Sequence, residues 1–255
     1  VIIYGSPYSN LKYLEGTIPF GVSQFSVKGS MSDPAYYCAY LFNEFLESKN
    51  IITKKTPSTV RILSKNENYH TKARKTFYTH KSPQLSSILK LTNQKSINSF
   101  AEACLKMCGV KMYSIGSTKK GIDAITNFWV SKGVAEDGLI MKDGSGLSRL
   151  NLITTKQMVN MLYAYTKEPS FQDFYNSLAV GGKSGSISSL FIGTNAENNL
   201  RAKSGYMTGI RAFSGYVNNK KDEQIIFSII VNNYSGSPYS MKKKLERLMI
   251  KISEL

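Results

Sequence analysis

The stretch Arg201-Ala-Lys-Ser-Gly-Tyr-Met-Thr-Gly-Ile-Arg-Ala-Phe-Ser-Gly-Tyr-Val217 decides the fold. It reads as a strand carrying Lys203-Ser204-Gly205, a tight turn at Thr208-Gly209, and a partner strand ending at Val217. A strand edge with a Lys, a hydroxyl and a Gly suits a peptide ligand. Main-chain pairing holds the peptide, Lys and hydroxyl grip its carboxylate, and Gly lets the backbone approach closely. Such a tripeptide also recurs by chance. A second copy, Lys183-Ser184-Gly185, lies upstream in a Gly/Ser-rich stretch that reads as a loop.

Working outward, residues 224–231 read as a further strand and 238–252 as a terminal helix with basic residues outward. Thr154-Thr155 caps a helix through Tyr165, and a short helix is expected at 171–178. Residues 99–107 are strongly helical, and 121–129 form an amphipathic helix closed by Lys132-Gly133. Ser82-Pro83 starts a helix through Lys90. Asp33-Pro34 starts another over 35–49, with Tyr37, Tyr40, Leu41 and Phe45 inward. Strands are expected at 60–63, 76–79 and 139–141, a charged loop at 65–75, and short strands and turns over 1–30. Helices around a small antiparallel sheet, with most strands in the C-terminal third, make an α+β fold.

At 255 residues the chain holds one large domain or two small ones. Hydrophobic residues at 42% and aromatics at 11% argue against disorder. No apolar run reaches membrane-spanning length, so no transmembrane segment is expected. The chain opens on Val1, as expected of a processed or truncated product. The net charge of +16 favours anionic partners such as nucleic acid, acidic lipid or an acidic cell-wall polymer. The basic residues are scattered, however, and runs such as Lys242-Lys243-Lys244 are not interleaved with aromatics. A solvated surface is therefore expected, and a nucleic-acid partner is not. Cys104 and Cys108 share one helical face and read as small buried residues, ahead of a disulfide or metal pair. Only His70 and His80 are present, so neither a His-rich metal site nor a Ser-His-Asp triad is well supplied. His80 reads as a hydrogen-bonded structural residue.

Ser96-x-Asn98 lies on a loop between two helices, about a hundred residues before Lys203-Ser204-Gly205. Read locally, Ser96 and Asn98 are caps of the following helix. Read together, the two motifs are two of three elements of penicillin-interacting serine acyltransferases. The third is Ser-x-x-Lys on a helical turn, where the amine takes the hydroxyl proton. The flanks are informative: His80-Lys-Ser-Pro-Gln-Leu85, Ser96-Ile-Asn-Ser-Phe-Ala-Glu102, Asp143-Gly-Ser-Gly-Leu-Ser-Arg-Leu-Asn151, Phe213-Ser-Gly-Tyr216 and Val231-Asn-Asn-Tyr234. From about Ile18 to near its C-terminus the chain closely resembles the D-Ala-D-Ala carboxypeptidase/endopeptidase family, the low-molecular-mass class C penicillin-binding proteins. The Asp-Gly-Ser-Gly-Leu-Ser-Arg string is the most diagnostic piece, and its Asp143 and Ser148 are expected to bond local backbone.

The resemblance implies a transpeptidase-like domain over 31–255, preceded by the end of an inserted β-rich domain over 1–30. It implies that Ser96 relays a proton toward the leaving amine. Asn98 would bind the substrate's amide carbonyl and help orient the catalytic lysine. Lys203 would supply positive potential and a proton path, and Ser204, beside Gly205, would bind the terminal carboxylate. The Tyr206 N–H would form half of an oxyanion hole. The family more often has Asp where Ile97 stands and Thr where Ser204 stands; Ser204 keeps the hydroxyl.

Of the Ser-x-x-Lys strings, Ser117–Lys120 and Ser240–Lys243 fall on the wrong side of Ser96 in family order. Ser87–Lys90 belongs to a helix that holds it away from Ser96, and no long apolar helix follows Ser9–Lys12. The nucleophile is therefore expected upstream of this chain. The implied activity is a serine-type D-Ala-D-Ala carboxypeptidase or endopeptidase acting on peptidoglycan stem peptides through an acyl-enzyme. It needs no metal or organic cofactor and works in the periplasm or cell envelope. β-Lactams are expected as covalent inhibitors where the nucleophile is present. The alternative is a homologue that has lost the nucleophile and only binds cell-wall peptide or a partner protein.

Overall fold

Asp33 anchors the first of two units, Val1–Thr79 and His80–Leu255, in the computed structural model, which describes residues 1–65, 75–76 and 78–255. One Asp33 oxygen accepts the Tyr36 N–H at 3.1 Å and caps helix α1 (Pro34–Ser48). The other accepts from the Arg61 guanidinium, which also stacks on the Tyr8 ring at 4.1 Å. Arg61 lies in a single helical turn, α2 (Val60–Leu63), where the sequence predicts a strand. Val60 and Ile62 are β-branched, but the Thr59 hydroxyl accepts the Ile62 N–H and winds the segment into helix.

Strands β1 (Ile2–Tyr4) and β2 (Tyr13–Glu15) pair antiparallel, with Ile3 opposite Leu14. The face of α1 predicted to point inward is exposed at Tyr37, Tyr40, Leu41 and Phe45. Of the strand predicted at 76–79, Phe77 lies outside the described residues and its neighbours form none. His70 and most of the loop predicted at 65–75 also lie outside them.

The second unit carries helices α3 (Leu85–Lys95), α4 (Asn98–Tyr113), α5 (Thr118–Ser131), α6 (Thr155–Tyr165), α7 (Phe171–Ser177) and α8 (Pro238–Ser253). Its antiparallel sheet runs in the order β3 (Ala179–Val180), β4 (Arg201–Met207), β5 (Ile210–Asn218), β6 (Gln224–Asn232). The turn from β4 to β5 is Thr208-Gly209, as predicted, with Gly209 at φ +75°. Alternation along the strands gives the sheet two covered faces. On one, Ala202, Phe213, Val217 and Phe227 pack with Leu245 and Met249 of α8. On the other, the buried Tyr216 packs with Leu162 of α6 and Phe171 of α7, and its hydroxyl donates to the Leu162 carbonyl at 2.9 Å. Burial pushes the Tyr216 phenol well above its ordinary pKa. Gly215 is dictated by strand packing, because a Cβ there would lie 2.0 Å from the Arg201 carbonyl oxygen.

Helix α6 begins with a reciprocal cap. Thr154 Oγ1 accepts the Gln157 N–H, and the Gln157 side chain accepts the Thr154 N–H. Helices α4 and α5 approach closely at Gly121, where a Cβ would lie 2.2 Å from the Leu105 carbonyl oxygen. The strand predicted at 139–141 shrinks to one bridge, Ile140 with Leu152, because the loop after it commits its backbone N–H groups to side chains. Cys104 and Cys108 are free and half-buried. Burial first, and Cys108 second, raise the Cys104 thiol pKa. His80, for which a hydrogen-bonded structural role is predicted, is exposed and makes no side-chain hydrogen bond among the described residues.

Candidate active site

Strand β3 pairs only with Arg201 and Ala202. From Lys203 to Met207, β4 has β5 on one side and no strand on the other among the described residues. The Gly181 N–H donates to the Leu200 carbonyl at 2.8 Å, so the even-numbered residues of this segment turn their peptide groups toward the β3 side. The N–H groups of Ser204 and Tyr206 therefore face the unpaired edge. An extended peptide can add there as a further strand.

Ser96 ends α3 in a left-handed conformation, φ +54°. Such a conformation at a non-glycine residue costs roughly 1 kcal/mol or more. Ile97 is the N-cap of α4, and no side chain caps that helix. Neither Ser96 nor Asn98 thus serves as the cap their local reading predicts. Instead, Lys203 Nζ donates to Ser96 Oγ at 2.9 Å and to the Ser204 carbonyl at 2.7 Å. Burial pushes the Lys203 ammonium below the ordinary lysine range. Asn93 Nδ2 donates to Ser177 Oγ at 2.7 Å, and Gln94 Nε2 to the Leu178 carbonyl at 3.3 Å, so the end of α3 that presents Ser96 is tied down. Asn98 is exposed in the first turn of α4, and its side chain makes no hydrogen bond among the described residues.

Gly205 shares with Lys203 the face of β4 that meets Ser96. A Cβ at Gly205 would meet only the Ala212 Cβ, at 3.6 Å, an ordinary contact, so the fold does not demand glycine there. Tyr206 is 52% exposed and lies under the Arg211 guanidinium at 4.6 Å. Ser204 projects from the opposite face to Lys203, and its Oγ donates to Ser186 Oγ at 2.7 Å. The sequence does not single out Ser186. It follows the second Lys-Ser-Gly copy, which is a turn as predicted, with Ser184 Oγ accepting the Val180 N–H.

The loop at 143–149 is built by its own polar groups, as its composition predicts. Asp143 accepts from the Gly146 and Ser148 N–H groups and from Asn151, and Ser148 Oγ accepts the Leu150 N–H. Glu102 of α4, which sequence reasoning passes over, accepts the Gly144 and Ser145 N–H groups at 3.0 Å each. Burial would raise the Asp143 pKa, but the bonds from Asn151, Ser148 and Gly146 outweigh it and hold the carboxyl below its usual range. Among the Ser-x-x-Lys strings, Ser9 sits in a turn rather than a helix, Ser87 is exposed on α3, Ser117 caps α5, and Ser240 lies in the first turn of α8. Ser87, Ser117 and Ser240 share a unit with Ser96 and Lys203, and none of the three bonds either residue among the described residues.

The sequence pattern of the D-Ala-D-Ala carboxypeptidase 3 (S13) family matches residues 7–251. The chain belongs to this family. The D-alanyl-D-alanine carboxypeptidase of Actinomadura sp. (strain R39) is 31% identical over 233 residues, which are 89% of this chain and 42% of that protein. The D-alanyl-D-alanine carboxypeptidase DacB of Haemophilus influenzae is 28% identical across 65% of this chain and 35% of its own length. The crystal structure of Haemophilus influenzae penicillin binding protein 4 (dacB), complexed with a β-lactam, matches with a TM-score of 0.61 at 26% identity, over 66% of this chain and 41% of that one. A penicillin G-acylated predatory endopeptidase from Bdellovibrio bacteriovorus shares the fold, with a TM-score of 0.53 at 19% identity over 88% of this chain and 61% of that one. The antiparallel sheet flanked by helices is thus the penicillin-binding fold of this S13 family. The chain spans less than half the length of the curated relatives it matches. No helix among the described residues is long and apolar enough to cross a membrane.

Proposed function

We propose that the chain forms the peptide-gripping part of a serine-type D-Ala-D-Ala carboxypeptidase or endopeptidase that acts on peptidoglycan stem peptides in the periplasm or cell envelope. The observation that carries this reading is the 2.9 Å bond from Lys203 Nζ to Ser96 Oγ beside an unpaired strand edge. The stem peptide adds to β4, and its terminal carboxylate meets Ser204 Oγ within the positive potential of Lys203. The Tyr206 N–H takes the oxygen of the scissile carbonyl, where negative charge builds as the serine oxygen attacks. Asn98, whose side chain makes no hydrogen bond among the described residues, is available to the substrate's amide carbonyl. The serine O–C bond forms and the C–N bond breaks. The serine proton passes to its lysine base, and the leaving amine gains a proton through Ser96 and Lys203. Water then cleaves the ester.

The acylated serine is expected from a Ser-x-x-Lys turn upstream, since Ser87, Ser117 and Ser240 bond neither Ser96 nor Lys203 among the described residues and no long apolar helix follows Ser9 in the sequence. The same observation favours a second reading, a homologue without nucleophile that only binds cell-wall peptide or a partner protein. Residues 1–30 are assigned to the end of an inserted β-rich domain and 31–255 to the catalytic domain. Intact-mass spectrometry of the protein with a labelled penicillin tests the enzyme reading. One covalent adduct is expected, and Lys203→Met should slow its formation about 100-fold. Binding of a D-Ala-D-Ala peptide with no adduct from the full-length protein would leave the second reading standing.

A further inference from the structure

The 3-10 turn at Gly185–Ile187 has no place in the mechanism above, yet it is held with unusual firmness. Gly185 takes φ +63°, and a Cβ on it would lie 2.7 Å from the Ala179 Cβ and 2.9 Å from the Gln94 carbonyl oxygen. Ile187 is fully buried against the sheet, and its carbonyl accepts the Gly182 N–H. Ser186 stands between these two anchors, exposed, with its Oγ 2.7 Å from that of Ser204. The turn therefore touches both the end of α3, two residues before Ser96, and the strand that carries Ser204.

We propose that Ser186 is a specificity-determining residue of the carboxylate site, its hydroxyl binding one oxygen of the substrate's terminal carboxylate while Ser204 binds the other. The inference rests on the reading of Ser204 as the carboxylate ligand. A hydroxyl has one proton and two acceptor positions. In the resting pair Ser204 gives its proton to Ser186, so the Ser186 proton has no partner within the protein among the described residues. An arriving carboxylate supplies two acceptors. Ser204 turns its proton to one oxygen and Ser186 gives its own to the other, beside the Lys203 charge. The spacing of the two hydroxyls suits a single carboxylate, and the anchored turn lets the pair meet the anion with little rearrangement. A neutral C-terminal amide, with one acceptor and no charge, leaves half of this arrangement unused.

The test is equilibrium binding of an acylated D-Ala-D-Ala peptide and of the same peptide as its C-terminal amide, followed by NMR titration, which needs no nucleophile. The wild-type chain, Ser186→Ala and Ser186→Thr are compared, with thermal melts of each. Ser186→Ala is expected to melt as wild type and to lose about tenfold in its preference for acid over amide, through weaker acid binding alone. Ser186→Thr should restore the preference. An acid-to-amide ratio unchanged in Ser186→Ala, or both peptides weakened equally, overturns the proposal. If the acid is preferred and Ser186→Ala removes that preference while penicillin forms no adduct with the full-length protein, the acyl-enzyme reading fails and this inference stands. If neither peptide binds the wild type, both fail.

Discussion

Two glycines ten residues apart on one hairpin should respond oppositely to the same methyl group. At Gly215 an added Cβ would meet backbone, the Arg201 carbonyl oxygen at 2.0 Å and the Ala202 Cα at 2.7 Å. Backbone cannot swing aside as a side-chain tip can, so β4 and β5 must part. Overpacking costs about 1–3 kcal/mol, and rigid obstacles on both counts place Gly215→Ala at or beyond the upper end. For a chain of this size about 3 kcal/mol lowers Tm by roughly 6–12 °C. At Gly205 the nearest atom is the Ala212 Cβ at 3.6 Å, and the residue does not adopt a positive φ. Gly205→Ala should therefore leave stability unchanged or raise it by up to about 1 kcal/mol, by restricting the unfolded chain. Its methyl group would nevertheless project from the face of β4 that carries Lys203, beside the open edge where the peptide is proposed to add. Binding of a D-Ala-D-Ala peptide should weaken at least tenfold, a loss of about 1.4 kcal/mol. Circular-dichroism melts and NMR titrations of both variants decide the matter. A Gly205→Ala melt as low as that of Gly215→Ala, or unaltered peptide binding, would refute the claim that Gly205 answers to the ligand rather than to the fold.

Tyr216→Phe removes the donor to a buried carbonyl and should cost about 1–2 kcal/mol in urea denaturation, with no change in the cooperativity of unfolding. Asp143 has a folded-state pKa held below its unfolded value, so its stabilisation is fully present above the ordinary carboxylate pKa and is lost as pH falls through the folded one. Asp143→Asn should accordingly destabilise the protein at neutral pH, and its deficit relative to wild type should shrink on acidification below about pH 4. Melting curves at a series of pH values check this, and a deficit that grows with acid would contradict it.

The hairpin was legible because Thr208-Gly209 sits between alternating segments, and α6 because Thr154 and Gln157 are spaced to cap each other. At 60–63 the sequence misleads, since four residues give too short a run for periodicity, and a single hydroxyl at Thr59 decides between strand and helix. Helix α1 was found by its apolar spacing, but spacing says only that a face is apolar and not what covers it; Leu41 and Phe45 stay exposed. The pairing of Lys203 with Ser96 was reachable through the family resemblance. Ser186 was not, because a lone serine in a Gly/Ser-rich stretch carries no pattern, and its meeting with Ser204 is made by the turn at Gly185 and the early end of β3. Glu102 escaped for a related reason: its partners are backbone groups, which leave no trace in residue types.

The peptide groups of β4 alternate between its two edges, and this makes the strand a measuring device. Only Ser204 and Tyr206 offer N–H groups to the open edge beyond β3, and they lie about 7 Å apart, the span of two residues in an extended chain. A guest whose end is fixed at Ser204 has its carbonyls phased against Tyr206 by that interval, and a shift of one residue would set its donors against donors. Such an edge counts residues from the end of its guest and needs no side chain to do so. Discrimination by length would then survive wide variation in the guest's side chains, and a single backbone atom inserted before the terminus should disturb it more than any change of residue farther along.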